Sequence, residues 1–198
     1  MAIFHSLQDP EVVHLLNQGA VGVLPTDTVY GLVASAANHQ AVAQLYRLKN
    51  REQKPGTTIA ASTQQLIALG IDAATIQRVA HLWPNPISVV LPLPPEMEYL
   101  HMGLGSSPFR VVADTNVRAL LEQTGPLVTS SANMPGGKPA TNLAEAQGYF
   151  DNHIDFYVDA GDIGDRPPST IVRLTLSGVL EVIRQGAVTI NDKGEIAA

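Results

Sequence analysis

Short apolar runs alternate with capped helical segments along this sequence, and that alternation constrains the fold more than any other feature. Asp9-Pro10-Glu11, for example, supplies a helix N-cap, a proline at the first helical position and an early acid, and Gly19 ends the helix. Helices are predicted, with their cap and stop residues, at 9–19, 38–48, 62–69, 72–83, 114–124 and 142–150. Strands are predicted at 20–24, 57–61, 87–91, 109–113 and 126–130, and near Phe156, Ile171 and Val182. This order predicts an α/β domain layered around one sheet.

Composition narrows the class of protein. A chain of 198 residues can bury about 70% of its unfolded surface in one core. No repeat or linker breaks the pattern, so we expect a single domain over 1–198. Without cysteine the chain can form no disulfide, thiolate nucleophile or Cys-ligated zinc, and its six scattered histidines lack the spacing of a zinc site. The N-terminus does not resemble a signal peptide and no segment is apolar enough to span a membrane, so we expect a cytoplasmic protein with no membrane partner.

A basic cluster stands out in this acidic chain. Arg47, Lys49, Arg51 and Lys54 are four of its twelve cations and fall near the end of a predicted helix, although the net charge is −6. Cations this close repel one another, so the cluster indicates a site for a phosphate or carboxylate ligand. The alternative is a solvated helix end, since Lys and Arg also favour the last turn of a helix.

Two polar turns follow predicted strands, where open α/β sheets place their ligands. They cover residues 25–32 and 129–133 and combine Thr, Ser or Asn with small residues. Hydroxyls and backbone N–H groups in such loops can approach phosphate, ribose or a carboxylate. Taken alone, each turn is better explained by side chains that close turns and cap helices.

Six motifs together resemble the YrdC-like (TsaC-type) threonylcarbamoyl-AMP synthases. They are Pro25-Thr-Asp-Thr-Val-Tyr-Gly-Leu32, Lys49-Asn-Arg51, Trp83-Pro-Asn-Pro86, Ser131-Ala-Asn133, Ser169-Thr-Ile-Val172 and Arg184-Gln-Gly186, and they span about residues 10–187. The resemblance implies a twisted, mostly mixed sheet with flanking helices around a deep basic groove. It also implies that L-threonine, bicarbonate and ATP are joined there into threonylcarbamoyl-AMP and pyrophosphate, for threonylcarbamoyladenosine at position 37 of tRNA.

The resemblance also assigns site residues, in agreement with the need for fixed cations where negative charge gathers. By the family pattern Lys49 and Arg51 hold the phosphates and act in catalysis. The ATP-binding residues are Lys49, Arg51, Lys54, Ser106, Ser131, Asn133 and Arg184. Thr26, Arg110 and Ser169 receive threonine, with Arg110 forking onto its carboxylate. Mg²⁺ is expected to bridge ATP oxygens, without ligands from protein side chains. Without the resemblance, Arg110 is best interpreted as a surface residue of an edge strand.

The chain departs from the family pattern at several positions: Asn85, Ile87, Ser88, Val112 and Pro135 replace common residues. The chain ends at Ala198, and we expect the short form without a further C-terminal domain. A threonylcarbamoyltransferase complex that modifies tRNA is the expected recipient of the product.

Two other functions remain open. One is an RNA-binding module without adenylate chemistry, although few aromatics and the net charge of −6 oppose strong RNA binding, and weak tRNA binding is expected at most. The other is the carbamoyl-adenylate chemistry of the YrdC-like domain in hydrogenase maturation proteins.

Overall fold

The computed structural model describes residues 1–50, 53–175, 179–191, 193, 195 and 196. The strands are β1 (Ala2–Phe4), β2 (Gly22–Pro25), β3 (Tyr30–Ser35), β4 (Thr57–Ala60), β5 (Ile87–Pro92), β6 (Ser106–Val111), β7 (Leu127–Ser131), β8 (Phe156–Val158), β9 (Thr170–Leu174) and β10 (Leu180–Arg184). The α-helices are α1 (Pro10–Asn17), α2 (His39–Leu48), α3 (Thr63–Ala68), α4 (Ala73–Val79), α5 (Glu98–His101), α6 (Thr115–Thr124) and α7 (Leu143–Phe150). No helix within these ranges is both long enough and apolar enough to cross a bilayer.

The described strands form one mixed sheet in the order β1-β8-β2-β3-β7-β4-β6-β5-β9-β10. Neighbours are parallel where β8 meets β1 and β2, where β4 meets β6 and where β5 meets β9. The remaining pairs are antiparallel. The predicted α/β class with a mixed sheet and flanking helices is therefore confirmed.

Helices cover the two faces of the sheet unequally. On one face, α2, α4 and α7 contribute to a large apolar core that includes Leu45, Ile76 and Phe150. On the other, α1 and α6 build a smaller core around Ile59. Ile59 is the Cα partner of Arg110 on the adjacent parallel strand, so both side chains lie on this second face. The groove described below begins where the smaller core ends.

Side-chain caps position the helices as the sequence predicts. Asp9, Asn38, Ser62, Asp114 and Asn142 each accept a hydrogen bond from a backbone N–H in the first turn of the helix that follows. This pattern works because the first N–H groups of a helix have no partner within the helix itself.

Two local predictions were wrong, and two short elements were missed. The helix predicted at 72–83 ends at Val79 and continues as a tighter 3₁₀ turn at Ala80–Leu82. The polar turn predicted at 25–32 contains the start of β3 at Tyr30, because this strand is buried along its whole length and lacks the alternation with polar residues that marks a half-exposed strand. Strand β1 and helix α5 were missed, since one has three residues and the other four and both lack a cap or a clear period.

Candidate active site

A groove opens on the face that α1 and α6 leave uncovered. Its larger part, which we call the sheet cavity, has a volume of about 560 Å³. A smaller part of about 390 Å³, the loop cavity, adjoins it because Lys54 and Ser131 line both. The predicted residues in the wall of the sheet cavity are Thr26, Lys54, Arg110, Ser131, Ser169 and Arg184, and those in the wall of the loop cavity are Lys49, Lys54, Ser131 and Asn133. The structure thus brings most of the predicted site together.

Arg110 is buried in the middle of the sheet. Strand β6 lies between β4 and β5, and only 2% of Arg110 is exposed, so the interpretation as an edge-strand surface residue is wrong. The buried charge is balanced by Asp27, whose Oδ1 lies 2.7 Å from Nη2. Nη1 donates to Ser88 Oγ at 3.2 Å. Both terminal nitrogens therefore have partners within the protein.

The third guanidinium nitrogen of Arg110, Nε, indicates where a ligand could bind. Nε is buried and has no hydrogen-bond partner in the described part of the chain. A buried N–H without a partner costs free energy until a ligand or water supplies an acceptor. Since Arg110 lines the sheet cavity, we expect an anion bound there to approach the guanidinium on its Nε side, which has no partner within the described residues. A fork through both Nη1 and Nη2 would compete with Asp27 and Ser88.

Thr26 shapes the turn between β2 and β3. Its Oγ1 donates to the carbonyl oxygen of Val29 at 2.6 Å and accepts from the Val29 N–H at 3.3 Å. The hydroxyl therefore closes the turn, which was the structural alternative at this position, and the residue also lines the sheet cavity. Gly31 permits this packing, because a Cβ there would lie 2.5 Å from Thr129 Oγ1.

Ser169 lies in the wall of the sheet cavity and is linked to Arg110 through Ser88. Its Oγ lies 2.9 Å from Ser88 Oγ, and its carbonyl oxygen accepts from Arg184 Nη2 at 2.7 Å. Gly186 allows the end of β10 to approach this segment, since a Cβ there would lie 2.2 Å from the carbonyl oxygen of Pro168. Arg184 is thereby held beside Ser169 although most of its side chain is exposed.

Lys49 organises the loop after β7. Only 3% of the residue is exposed, and Nζ donates to the carbonyl oxygens of Ser131 and Asn133 and, at 2.8 Å, to Asn133 Oδ1. Ser131 Oγ donates to the same Oδ1 at 2.7 Å. An ammonium group has three N–H donors, so a phosphate oxygen would have to compete with these acceptors for Lys49.

The described members of the basic cluster do not all lie in the groove. Lys49 caps the end of α2 and Lys54 is exposed at the junction of the two cavities. Arg47 lines a separate hollow between α2 and α5. Arg51, predicted to be catalytic, lies outside the described residues. Ser106 begins β6 opposite Pro92 and is not in the wall of either cavity.

Asp27 and Ser88 are the functional residues that sequence reasoning missed. Asp27 was quoted within a motif and Ser88 was noted only as a departure, and neither was assigned a role. A signal for Asp27 was available, because a buried arginine requires a carboxylate partner. No comparable signal pointed to Ser88, since its pairing with Arg110 depends on the register of β5 against β6.

The family model described as Telomere recombination, that of the Sua5/YciO/YrdC domain, matches residues 14–186. This chain belongs to the Sua5/YciO/YrdC family. Every described residue of the groove lies within the matched range. The resemblance found in the sequence is therefore confirmed at the level of the family.

Individual members of the Sua5/YciO/YrdC family are similar along most of the chain. A threonylcarbamoyl-AMP synthase of Coxiella burnetii is 33% identical over 179 residues, which cover 88% of this chain and 95% of the relative. The crystal structure of P. abyssi Sua5 complexed with L-threonine superposes with a TM-score of 0.81 at 25% identity, covering 96% of this chain. This chain spans only 59% of that Sua5 chain. E. coli YciO superposes with a TM-score of 0.82 at 19% identity, and the match covers 98% of this chain and 100% of the YciO chain. At this identity the similarity supports the fold alone.

Proposed function

We propose that this protein is an L-threonylcarbamoyladenylate synthase. It forms threonylcarbamoyl-AMP and pyrophosphate from L-threonine, bicarbonate or CO₂, and ATP, and so serves threonylcarbamoyladenosine synthesis on tRNA. One observation carries the proposal: Arg110, a buried arginine whose Nε has no partner among the described residues, lines one part of a groove, and the adjoining part is lined by a Ser-Ala-Asn loop whose backbone Lys49 holds. An amino acid carboxylate suits the first part and a nucleotide suits the second.

The reaction places negative charge on both sides of the reacting centre. The amine of threonine captures CO₂ and releases a proton, and the resulting carbamate oxygen attacks the α-phosphorus while pyrophosphate leaves. Arg110 and Ser169 hold the threonine carboxylate at the sheet cavity, and Thr26 shapes the floor beside them. Lys54, at the junction of the cavities, and Arg184 face the region where phosphate charge develops. Fixed cations in such a groove stabilise the transition state without reorganising.

The loop cavity receives the nucleotide. Ser131 and Asn133 offer hydroxyl and amide groups there, and Lys49 fixes their backbone. Its ammonium also adds positive charge next to the cavity. The roles of Arg51 in phosphate binding and of Ser106 in nucleotide binding stay predictions.

Mg²⁺ enters with ATP. Among the described residues no group of three His, Asp or Glu side chains could hold a metal ion, and Asp27 is paired with Arg110. Such an ion would therefore take its ligands from phosphate oxygens and water, as Mg²⁺ does at many nucleotide sites. When bound, the ion neutralises charge on the leaving pyrophosphate.

The product is an activated acyl donor, which must be transferred before water hydrolyses it. A threonylcarbamoyltransferase complex that acts on tRNA is the proposed recipient. Direct tRNA binding by this chain is proposed to be weak, given the net charge of −6.

The test is to incubate the purified protein with ATP, Mg²⁺, bicarbonate and single amino acids, and to follow pyrophosphate release and the adenylate by mass spectrometry. We expect threonine to be the best substrate, serine to be weaker and valine to be rejected, because a site that hydrogen-bonds a hydroxyl is left with unpaired polar groups by an isosteric methyl.

Each alternative has its own result. No adenylate but tight, salt-sensitive tRNA binding would favour an RNA-binding module, and adenylate formed only from carbamoyl phosphate would favour the chemistry of hydrogenase maturation. Equal turnover of valine and threonine would exclude the proposed amino acid site even if ATP is used.

A further inference from the structure

Ser88 lies behind the wall of the sheet cavity and touches two residues that form it. It is fully buried in β5, and its Oγ accepts from Arg110 Nη1 at 3.2 Å and lies 2.9 Å from Ser169 Oγ. Arg110 and Ser169 line the cavity, whereas Ser88 does not. Ser88 can therefore affect a ligand only through its two neighbours.

The direction of the hydrogen bonds follows from counting donors. A guanidinium can only donate, so Ser88 must be the acceptor in its bond with Arg110. The hydroxyl hydrogen of Ser88 then needs an acceptor of its own, because a buried donor without a partner is costly. Ser169 Oγ, 2.9 Å away, is the acceptor that the structure offers. Ser88 thus donates to Ser169.

The direction of this bond determines what the Ser169 hydroxyl can do in the groove. If Ser169 Oγ accepts from Ser88, its own hydrogen is left to donate elsewhere. Arg184 Nη2, 3.5 Å from the same oxygen, is also a pure donor and cannot take that hydrogen. Since Ser169 lines the sheet cavity, its hydrogen is available to an acceptor on a ligand there.

We infer that Ser88 is a positioning residue that fixes the Ser169 hydroxyl as a hydrogen-bond donor to the substrate carboxylate. In this network Arg110 donates to Asp27 and to Ser88, Ser88 donates to Ser169, and Ser169 donates to the ligand. This inference rests on the proposed function, because it takes the ligand of the sheet cavity to be an amino acid. It adds a specificity-determining role for a residue outside the groove wall.

The test compares Ser88→Ala with Ser88→Thr, which keeps the hydroxyl. Loss of one hydrogen bond to a carboxylate should raise the KM for threonine about tenfold in Ser88→Ala, with the KM for ATP changed less than twofold. Ser88→Thr should restore a KM close to that of the unmodified chain. Ser107→Ala is the matched control, since Ser107 is a buried serine of the adjacent strand β6 whose hydroxyl donates to the carbonyl oxygen of Gly56 instead.

A double-mutant cycle separates positioning from a general structural effect. Because Ser88 acts through Ser169, Ser88→Ala should change the threonine KM less than twofold in a Ser169→Ala background. If Ser88→Ala does not fold, Ser88→Cys carries the same comparison, since it keeps the volume but is a weak donor and acceptor.

Full additivity of the two substitutions, or an unchanged threonine KM in Ser88→Ala, would overturn the inference while leaving the proposed function intact. An unmodified chain that neither binds threonine, measured by calorimetry, nor forms the adenylate would overturn both.

Discussion

At the scale of residues, the ion pair between Asp27 and Arg110 determines the character of the sheet cavity. Their side chains are 7% and 3% exposed, so neither charge is effectively screened by water. The resemblance to the family implied that Arg110 belongs to the site, although none of the six motifs contains it. It did not predict the partner, because residues 83 positions apart are brought together only by the pairing of the strands.

Removing Asp27 should therefore destabilise the protein strongly. Asp27→Ala leaves the Arg110 charge buried without a counter-ion, and we expect a loss of about 3 kcal/mol in the free energy of unfolding. Asp27→Asn keeps an acceptor for Arg110 and should lose less. Urea unfolding of the purified variants measures both.

The double variant Asp27→Leu/Arg110→Met is the control for this prediction, because it removes both charges. It should recover most of the stability that Asp27→Ala loses. If Asp27→Ala unfolds at the same urea concentration as the unmodified chain, the ion pair does not hold the cavity wall.

At the scale of elements, the helices with side-chain caps were predictable, whereas strands β1 and β3 were not. Asn38 and Asp114 mark helix starts in the sequence, and the structure confirms both caps. β3 was hidden because Tyr30 to Ser35 is buried on both faces and shows no polar alternation. The distribution of the basic cluster was also hidden, since Lys49 turns toward the loop after β7 while Arg47 lines another hollow.

The cap of α2 gives a prediction at this scale. Asn38 Oδ1 accepts from the N–H groups of Gln40 and Ala41 at 3.1 and 3.0 Å. Asn38→Ala should lower the free energy of unfolding by about 1 kcal/mol, whereas Asn38→Asp should stay close to the unmodified chain. Denaturant titration distinguishes these outcomes.

The same variants also test whether the two ends of α2 are independent. Lys49 caps the opposite end of the helix, eleven residues after Asn38, and its bonds to the Ser131 loop do not involve Asn38. The KM for ATP should therefore not change in Asn38→Ala. An alanine variant as stable as the aspartate variant would show that the cap contributes nothing.

At the scale of the whole molecule, the groove exists because the sheet is wider than the two helices on one of its faces. The smaller core under α1 and α6 ends at Ile59, and the neighbouring positions on that face carry Arg110, Thr129 and Ser131. Strand order could not be predicted from local pattern, because pairing across the sheet depends on tertiary packing. The resemblance nevertheless predicted residues from distant parts of the chain that the fold brings into one groove, among them Thr26, Ser131 and Ser169.

The central claim is that one groove binds threonine and ATP at adjoining ends. A crystal structure of the chain with L-threonine and a non-hydrolysable ATP analogue tests it most directly. The account predicts the threonine carboxylate within hydrogen-bond distance of Arg110 Nε and Ser169 Oγ, and the nucleotide in the loop cavity beside Ser131 and Asn133, with its phosphates toward Lys54. Ligands bound on separate faces, or a threonine carboxylate that contacts neither Arg110 nor Ser169, would contradict it.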